Sequence, residues 1–499
     1  MRLPGNITGI LGGTLVLAVW WSARNDSFEK SPGTSPVANP VVATASFKPD
    51  GRALGVASCA ATACHGNPAS SLSSPPIELA DLRPVDCWKS SYLQWTNLDK
   101  HAQAFEVLKN ERSHGIERRL SQDKINAWED TRCLACHVNP TLAARRDPEA
   151  TALHRDGVSC EACHGNAKPW RWAHTAWTSA TDREKSYADS KMTKLFDVGI
   201  RAETCAGCHV GAPASADAPL RDVNHELIAA GHPRFNFDFA SYSRRMPPHW
   251  REKDRLHEGK PRPAGFESQF WQIGQAVCAE SSLSLLKARA ELPKKDGEPA
   301  RWPELAEFNC FACHHDLNGW RTQQGRLGKL IWNSPSAFVN AGDDLLLMQA
   351  LKKTANVESK LFGDPEAIIR ATDEATTGWR RWRVSILERA TDEERLRTVI
   401  RQMRLDEAQW AALDWDHAAW LYSAIGAIEN TRRDQRRAPD KDAEGILLRL
   451  NELLRLPREP VRFDSPKDYA PGQVRDTLRQ WFALPINAPS RKRRRPSLS

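Results

Sequence analysis

Cysteine is nearly absent from this chain outside five short clusters: of 12 cysteines, only Cys87 and Cys278 stand alone. That usage excludes a disulfide scaffold, and leaves the two spare thiols either bridged or buried apart. Alternating apolar and polar runs are missing from Gly51 to Asn318, which argues against strands there. The apolar stretch Ile7 to Ala23, ending in Trp20-Trp21, has a core too short for a comfortable membrane span. From Gly319 to Leu484 there is no cysteine and one histidine, His417, so no redox chemistry is visible in that half.

What the chain does have is a pair of cysteines followed directly by histidine, five times over. The copies are Cys59-Ala-Ala-Thr-Ala-Cys64-His65, Cys133-Leu-Ala-Cys136-His137, Cys160-Glu-Ala-Cys163-His164, Cys205-Ala-Gly-Cys208-His209 and Cys310-Phe-Ala-Cys313-His314. Four are the C-x-x-C-H signature of covalent c-type haem attachment, and the first spaces the same groups by two more residues. In each, two thiols add to the vinyl groups of a haem and the histidine ligates its iron. Structural zinc also uses C-x-x-C pairs, but has no reason to require histidine after every one. The expected cofactors are therefore five covalent haem c groups with their iron.

The formal charge of +8 belongs to the polypeptide alone. Each oxidised haem adds roughly one negative charge through its propionates, which brings the loaded protein to about +3. Nucleic acid is not an expected partner. The concentrated basic run, Arg491 to Arg495, reads as a solvated tail.

The order of segments follows. Residues 1–30 are an export signal or an uncleaved N-terminal anchor, since bulky tryptophans sit where a small-residue cleavage site belongs. Residues 31–50 are a Pro/Ser/Thr/Ala-rich linker. Residues 51–320 are the haem region, residues 321–485 a helical domain and residues 486–499 a disordered basic tail. The haem region spends about 54 residues per motif, too few for an ordinary apolar core around each one, so the porphyrins must supply much of the buried surface. The fold expected is mainly α: short helices and irregular loops around five haems, then an all-helical domain. Helical periodicity runs through Asp343 to Ala355, recurs between Asp392 and Ala424, and returns from Glu444 to Leu456. The tryptophans of this half, Trp379, Trp382, Trp410, Trp415, Trp420 and Trp481, read as core.

Fifteen histidines less five in the motifs leave ten candidates for the far side of each iron. His101 stands in what reads as the first turn of a helix, and His174 follows the third motif closely. His225 and His232 flank a short helix capped by Asn224 and ended by Gly231 and Pro233, which sets them far enough apart to serve two different haems instead of one iron. His249 lies beside two prolines, where it either ligates or hydrogen-bonds a propionate. His114, His154, His257 and His417 read as surface or core residues, and His315, directly after a motif histidine, projects elsewhere.

From about 55 to 320 the chain resembles the multihaem c-type cytochromes typified by the tetrahaem electron carrier of ammonia-oxidising bacteria, and larger relatives of planctomycete type. The resemblance rests on Cys133-Leu-Ala-Cys-His, on Gly157-Val-Ser-Cys-Glu-Ala-Cys-His-Gly165 and on Asp222-Val-Asn-His-Glu-Leu-Ile-Ala-Ala-Gly-His-Pro-Arg234. It implies that His101, His174, His225 and His232 are haem ligands. The longer first motif and Cys87 depart from the pattern, and the C-terminal half is not covered.

Two imidazoles per iron give a low-spin centre suited to electron transfer, with no open site for substrate. The first expectation is thus an exported carrier in the periplasm or its equivalent, exchanging electrons with redox proteins of the cell envelope, free or held by its N-terminal anchor. The alternative is an oxidoreductase acting on a small nitrogen or sulfur compound at one five-coordinate haem. Against it, the C-x-x-C-K motif of pentahaem nitrite reductases is missing, and five tyrosines offer no counterpart of the crosslinked tyrosine of hydroxylamine oxidoreductases.

Overall fold

The computed structural model describes residues 52–68, 87–121, 124–177, 180–233, 237–247, 249, 265–292, 302–307, 345–361, 363–388, 400, 410, 413, 415–434, 441–455 and 470–484. The expected N-terminal signal or anchor, the expected linker and basic tail, and the fifth motif lie outside them. So does the side chain of Cys87.

The described residues form helices and irregular segments, with one isolated bridge between Ala212 and Arg221. In order the helices are α1 (Ser91–Leu98), α2 (Glu111–Ser121), α3 (Thr131–His137), α4 (Pro148–His154), α5 (Cys160–His164), α6 (Ala180–Ser190), α7 (Val198–His209) and α8 (His225–Ala229). Then come α9 (Phe239–Arg245), α10 (Phe266–Glu291), α11 (Leu345–Glu358), α12 (Pro365–Glu388), α13 (Trp415–Asp434), α14 (Lys441–Leu454) and α15 (Pro471–Ala483). None of the described helices is long and apolar enough to cross a membrane.

Short helices need explicit caps, because their unpaired amides are a large share of the whole. Asp130 caps α3 through the amide of Arg132, and Asp147 caps α4 through that of Ala150. Asp197 accepts from Gly199 and Ile200 at the start of α7. Asn224 caps α8 through the amide of Leu227, as the sequence predicts, and Gly231 then turns the chain at φ 109°.

Apolar packing is uneven. Around the first three motifs the described clusters are small: Phe105, Leu108, Ala127, Leu134, Val138 and Ala143 in one, Ala53, Leu142 and Ala150 in another. A single large core instead runs from α7 through α9 and α10 into α11–α15, taking residues from both sides of position 320. Its axis is α10, which packs along α12, α7 and α13 and is buried on nearly every side. This long helix departs from the short elements expected before position 320. The six tryptophans read as core are all buried, Trp379, Trp415 and Trp481 most deeply. Trp379 donates to Thr354 Oγ1 at 2.8 Å and Trp415 to the Leu454 carbonyl at 2.8 Å, so burial leaves neither indole proton without an acceptor.

The helices read from sequence at Asp343, Asp392 and Glu444 correspond to α11, to α13 in the described part, and to α14. The segment 392–399 lies outside the described residues.

Candidate functional site

Four motif histidines sit at or beside helix C-termini, where α3, α5 and α7 end on His137, His164 and His209 and the first motif closes a turn on His65. Each meets a histidine from a remote segment. His65 and His174 stack with ring centroids 6.3 Å apart and planes 6° from parallel. His209 faces His101 at 6.0 Å and 80°, and His164 faces His249 at 6.4 Å and 64°. His137 and His232 are close enough that the charge of one lowers the pKa of the other. A metal–imidazole bond of about 2.0–2.1 Å, with the ring centre roughly 1.1 Å beyond the nitrogen, places two trans imidazoles about 6.3 Å apart. The three measured pairs have that spacing.

The ring nitrogens are oriented to match. His137 donates from Nδ1 to the Ala104 carbonyl at 2.7 Å, and His232 to the Pro233 carbonyl at 2.9 Å. Nδ1 of His65 lies 3.0 Å from Ser91 Oγ, and Nδ1 of His101 lies 2.9 Å from Asp99 Oδ1. An occupied Nδ1 leaves the Nε2 lone pair for a metal. By contrast, His154 spends Nε2 on the Leu142 carbonyl at 3.0 Å and is buried, which makes it a core residue as the sequence suggests. His114 pairs with Glu117 on a partly exposed face.

Protonation favours ligation as well, since only neutral imidazole binds metal. Burial pushes His209 down to about 3, helped by the nearby His101, and pushes His232 down to about 4. His101 differs. Burial pulls its pKa down, but the hydrogen bond and charge of Asp99 more than offset this and leave it raised.

The remote segments are held by specific bonds. Trp95 of α1 donates to the Val158 carbonyl at 3.1 Å, and Val158 donates to the His101 carbonyl at 3.1 Å, which docks the His101 turn onto the loop before α5. That turn is a short 3-10 segment, Lys100–Gln103, capped by Asp99, where the sequence suggested the first turn of a helix. Arg112 and Arg119 of α2 donate to the carbonyls of Gly231 and Ala230 and fix the His232 loop. The amide of His225 donates to Glu304 Oε1 at 2.8 Å, which ties α8 to the segment leading into the fifth motif.

The thiols also show which motifs adjoin. Cys59 and Cys160 share a hydrogen bond, as do Cys136 and Cys208. Cys163 lies within electrostatic reach of Cys205 and Cys208. Cys64 and Cys133 complete the first and second pairs and are partly buried. Cys278 is buried in α10, and Cys310, Cys313 and His314 lie outside the described residues.

Do these residues suit haem? Buried donors without an acceptor include Nε1 of Trp170 and Trp177 and Nε of Arg171 and Arg221. Such orphans are costly unless an anion meets them, and haem propionates supply carboxylates of that kind. Among the described residues no three His, Cys, Asp or Glu side chains converge on a metal, whereas a zinc site needs four ligands. Imidazoles meeting in twos fit axial pairs.

Sequence reasoning passed over two carboxylates. Asp99 is buried beneath His101. Glu161, inside the third motif, accepts from the amides of Leu54 at 2.9 Å, Gly55 at 2.8 Å and Ala167 at 2.7 Å, and so clamps the strand of chain entering the first motif. An Asp two residues before a candidate ligand was the available signal for the first. The second had none, because the two positions between motif cysteines accept almost any residue.

Residues 85–165 match the family described as cytochrome c554 and c-prime. The match takes in His101 and the second and third motifs. No curated protein and no solved structure matches the chain.

Proposed function

We propose that this chain, whose residues 85–165 match the cytochrome c554 and c-prime family, binds covalent haem c with its iron and is an exported pentahaem electron carrier linking redox proteins of the cell envelope. The bound groups would supply reversible one-electron chemistry. The cysteines of the five motifs would hold them, and the histidines of the pairs His65–His174, His137–His232, His164–His249, His209–His101 and His314–His225 would ligate their iron.

One observation carries the reading: three motif histidines each face a remote histidine across 6.0–6.4 Å. With His232 near His137, each described motif histidine has a second histidine close to it. That arrangement favours transfer over catalysis, since a substrate would need an open face. For the fifth pair, support comes from α8, which carries His232 beyond one end and His225 at the other, beside Glu304.

Thiol proximities arrange the four described motifs as first, third, fourth, second. A linear series of this kind has two ends, one for each redox partner. The N-terminal apolar stretch is the means of export and, if retained, of attachment to a membrane.

The test is to purify the protein from a host that matures c-type cytochromes. The expected product carries five covalent haems by mass and heme stain, is low-spin when oxidised, and keeps its spectrum on adding nitrite, hydroxylamine or sulfite. A high-spin component that shifts with one of these would identify an oxidoreductase instead. A colourless product would refute the haem reading itself.

A further inference from the structure

Four of the ligand histidines differ in what holds their outer nitrogen. His137 and His232 turn Nδ1 to backbone carbonyls, and His65 turns it to the hydroxyl of Ser91. His101 turns it to a carboxylate, Asp99 Oδ1, at 2.9 Å. Asp99 is only 6% exposed, so water does little to screen its charge. It is also fixed in place: the same Oδ1 accepts the amide of His101 at 3.0 Å as it caps the 3-10 turn.

A carboxylate bonded to Nδ1–H draws the proton outward and raises the basicity of the opposite nitrogen. A more basic axial ligand, with a full negative charge close by, stabilises the oxidised metal over the reduced one. Carbonyl and hydroxyl partners do this far more weakly. The position matters as much as the chemistry. His101 pairs with His209 of the fourth motif, and the charge of Asp99 also reaches His249 and Cys163, which belong to the third. Asp99 therefore stands where the third and fourth motifs adjoin, in the interior of the series and away from its ends.

We infer that Asp99 is a potential-setting residue that makes the His101–His209 centre the hardest to reduce of the four described, placing an energetic step in the interior of their series. The inference rests on the proposed haem ligation. Electrons entering from either end would collect on the outer centres and cross this one only as a transient. The flow between the two partners is then governed by an internal step that neither partner contacts.

A reductive titration followed by optical and EPR spectroscopy tests this on the wild-type protein and two variants. In the wild type, the last ferric signal to disappear should be of the strongly anisotropic kind given by crossed imidazoles. The rhombic signal of the parallel His65–His174 pair should go earlier. Asp99→Asn keeps the shape and an acceptor but removes the charge, and should shift the oxidation equilibrium of one centre at least tenfold toward reduction, about 59 mV for one electron. Asp99→Glu should leave that centre near its wild-type potential. The inference is overturned if the rhombic signal persists longest, if Asp99→Asn titrates like the wild type with full haem content, or if Asp99→Glu shifts as far as Asp99→Asn. Absence of covalent haem from the wild type would instead strike the reading beneath it.

Discussion

His174 lies face to face with His65, the two rings only 6° from parallel at 6.3 Å. The other measured pairs cross, at 80° for His101 with His209 and 64° for His164 with His249. Parallel imidazoles act on the same metal d orbital and split the pair strongly, whereas crossed imidazoles leave the two nearly degenerate. The oxidised protein should therefore give at least one rhombic low-spin EPR signal and at least two strongly anisotropic ones. His174→Ala should remove the rhombic signal and add a high-spin component, with the anisotropic signals intact.

Glu161 is buried between two motifs and serves the amides of Leu54, Gly55 and Ala167. Glu161→Ala leaves those donors without their acceptor and should cost about 3 kcal/mol or more. Glu161→Gln, which still accepts, should cost clearly less. Denaturant unfolding followed by absorbance at the haem bands measures both.

Gly157 adopts φ +61°, and a Cβ there would lie 2.7 Å from the His101 carbonyl oxygen. Gly157→Ala adds left-handed strain to that collision and should destabilise by about 1–3 kcal/mol. The damage should fall on the His101 centre first, seen as loss of one crossed-type EPR signal before the rhombic one.

Glu280 of α10 is held at about 7, raised from 4.5 chiefly by burial and only partly countered by Arg383 and Arg380. A carboxyl raised in the folded state binds its proton there more tightly than in the unfolded chain. Its contribution is complete below pH 4.5 and is lost as pH rises through about 7, a change of about 3 kcal/mol. Glu280→Gln should flatten the fall in stability between pH 5 and 8 in urea titrations at fixed ionic strength.

Much of the site was open to sequence reading because its chemistry is local. Each cysteine pair carries its own histidine, and α8 announces itself by the Asn224 cap and the Gly231 stop. Which imidazole faces which was not legible. His101, His174 and His249 arrive on turns and irregular chain, where spacing carries no direction. The role of Asp99 was hidden for a related reason: its value as a cap is visible in sequence, but its bond to the ring depends on the His101 side-chain torsions. The largest element missed is α10, and its burial explains why. A helix covered on all sides lacks the polar face that makes a 3.6-residue period visible.

The fourth motif ends α7, and α7 is built into the tryptophan-rich core shared with α10 and α12. Arg383 of α12 braces the same assembly by bonding both Glu280 of α10 and Glu203 of α7. A ligand set mounted on so stiff a foundation has little freedom to relax when its charge changes. In the proposed conduit, the helices without motifs would thus keep nuclear rearrangement small at the His101–His209 centre and so limit the activation needed to cross its uphill step.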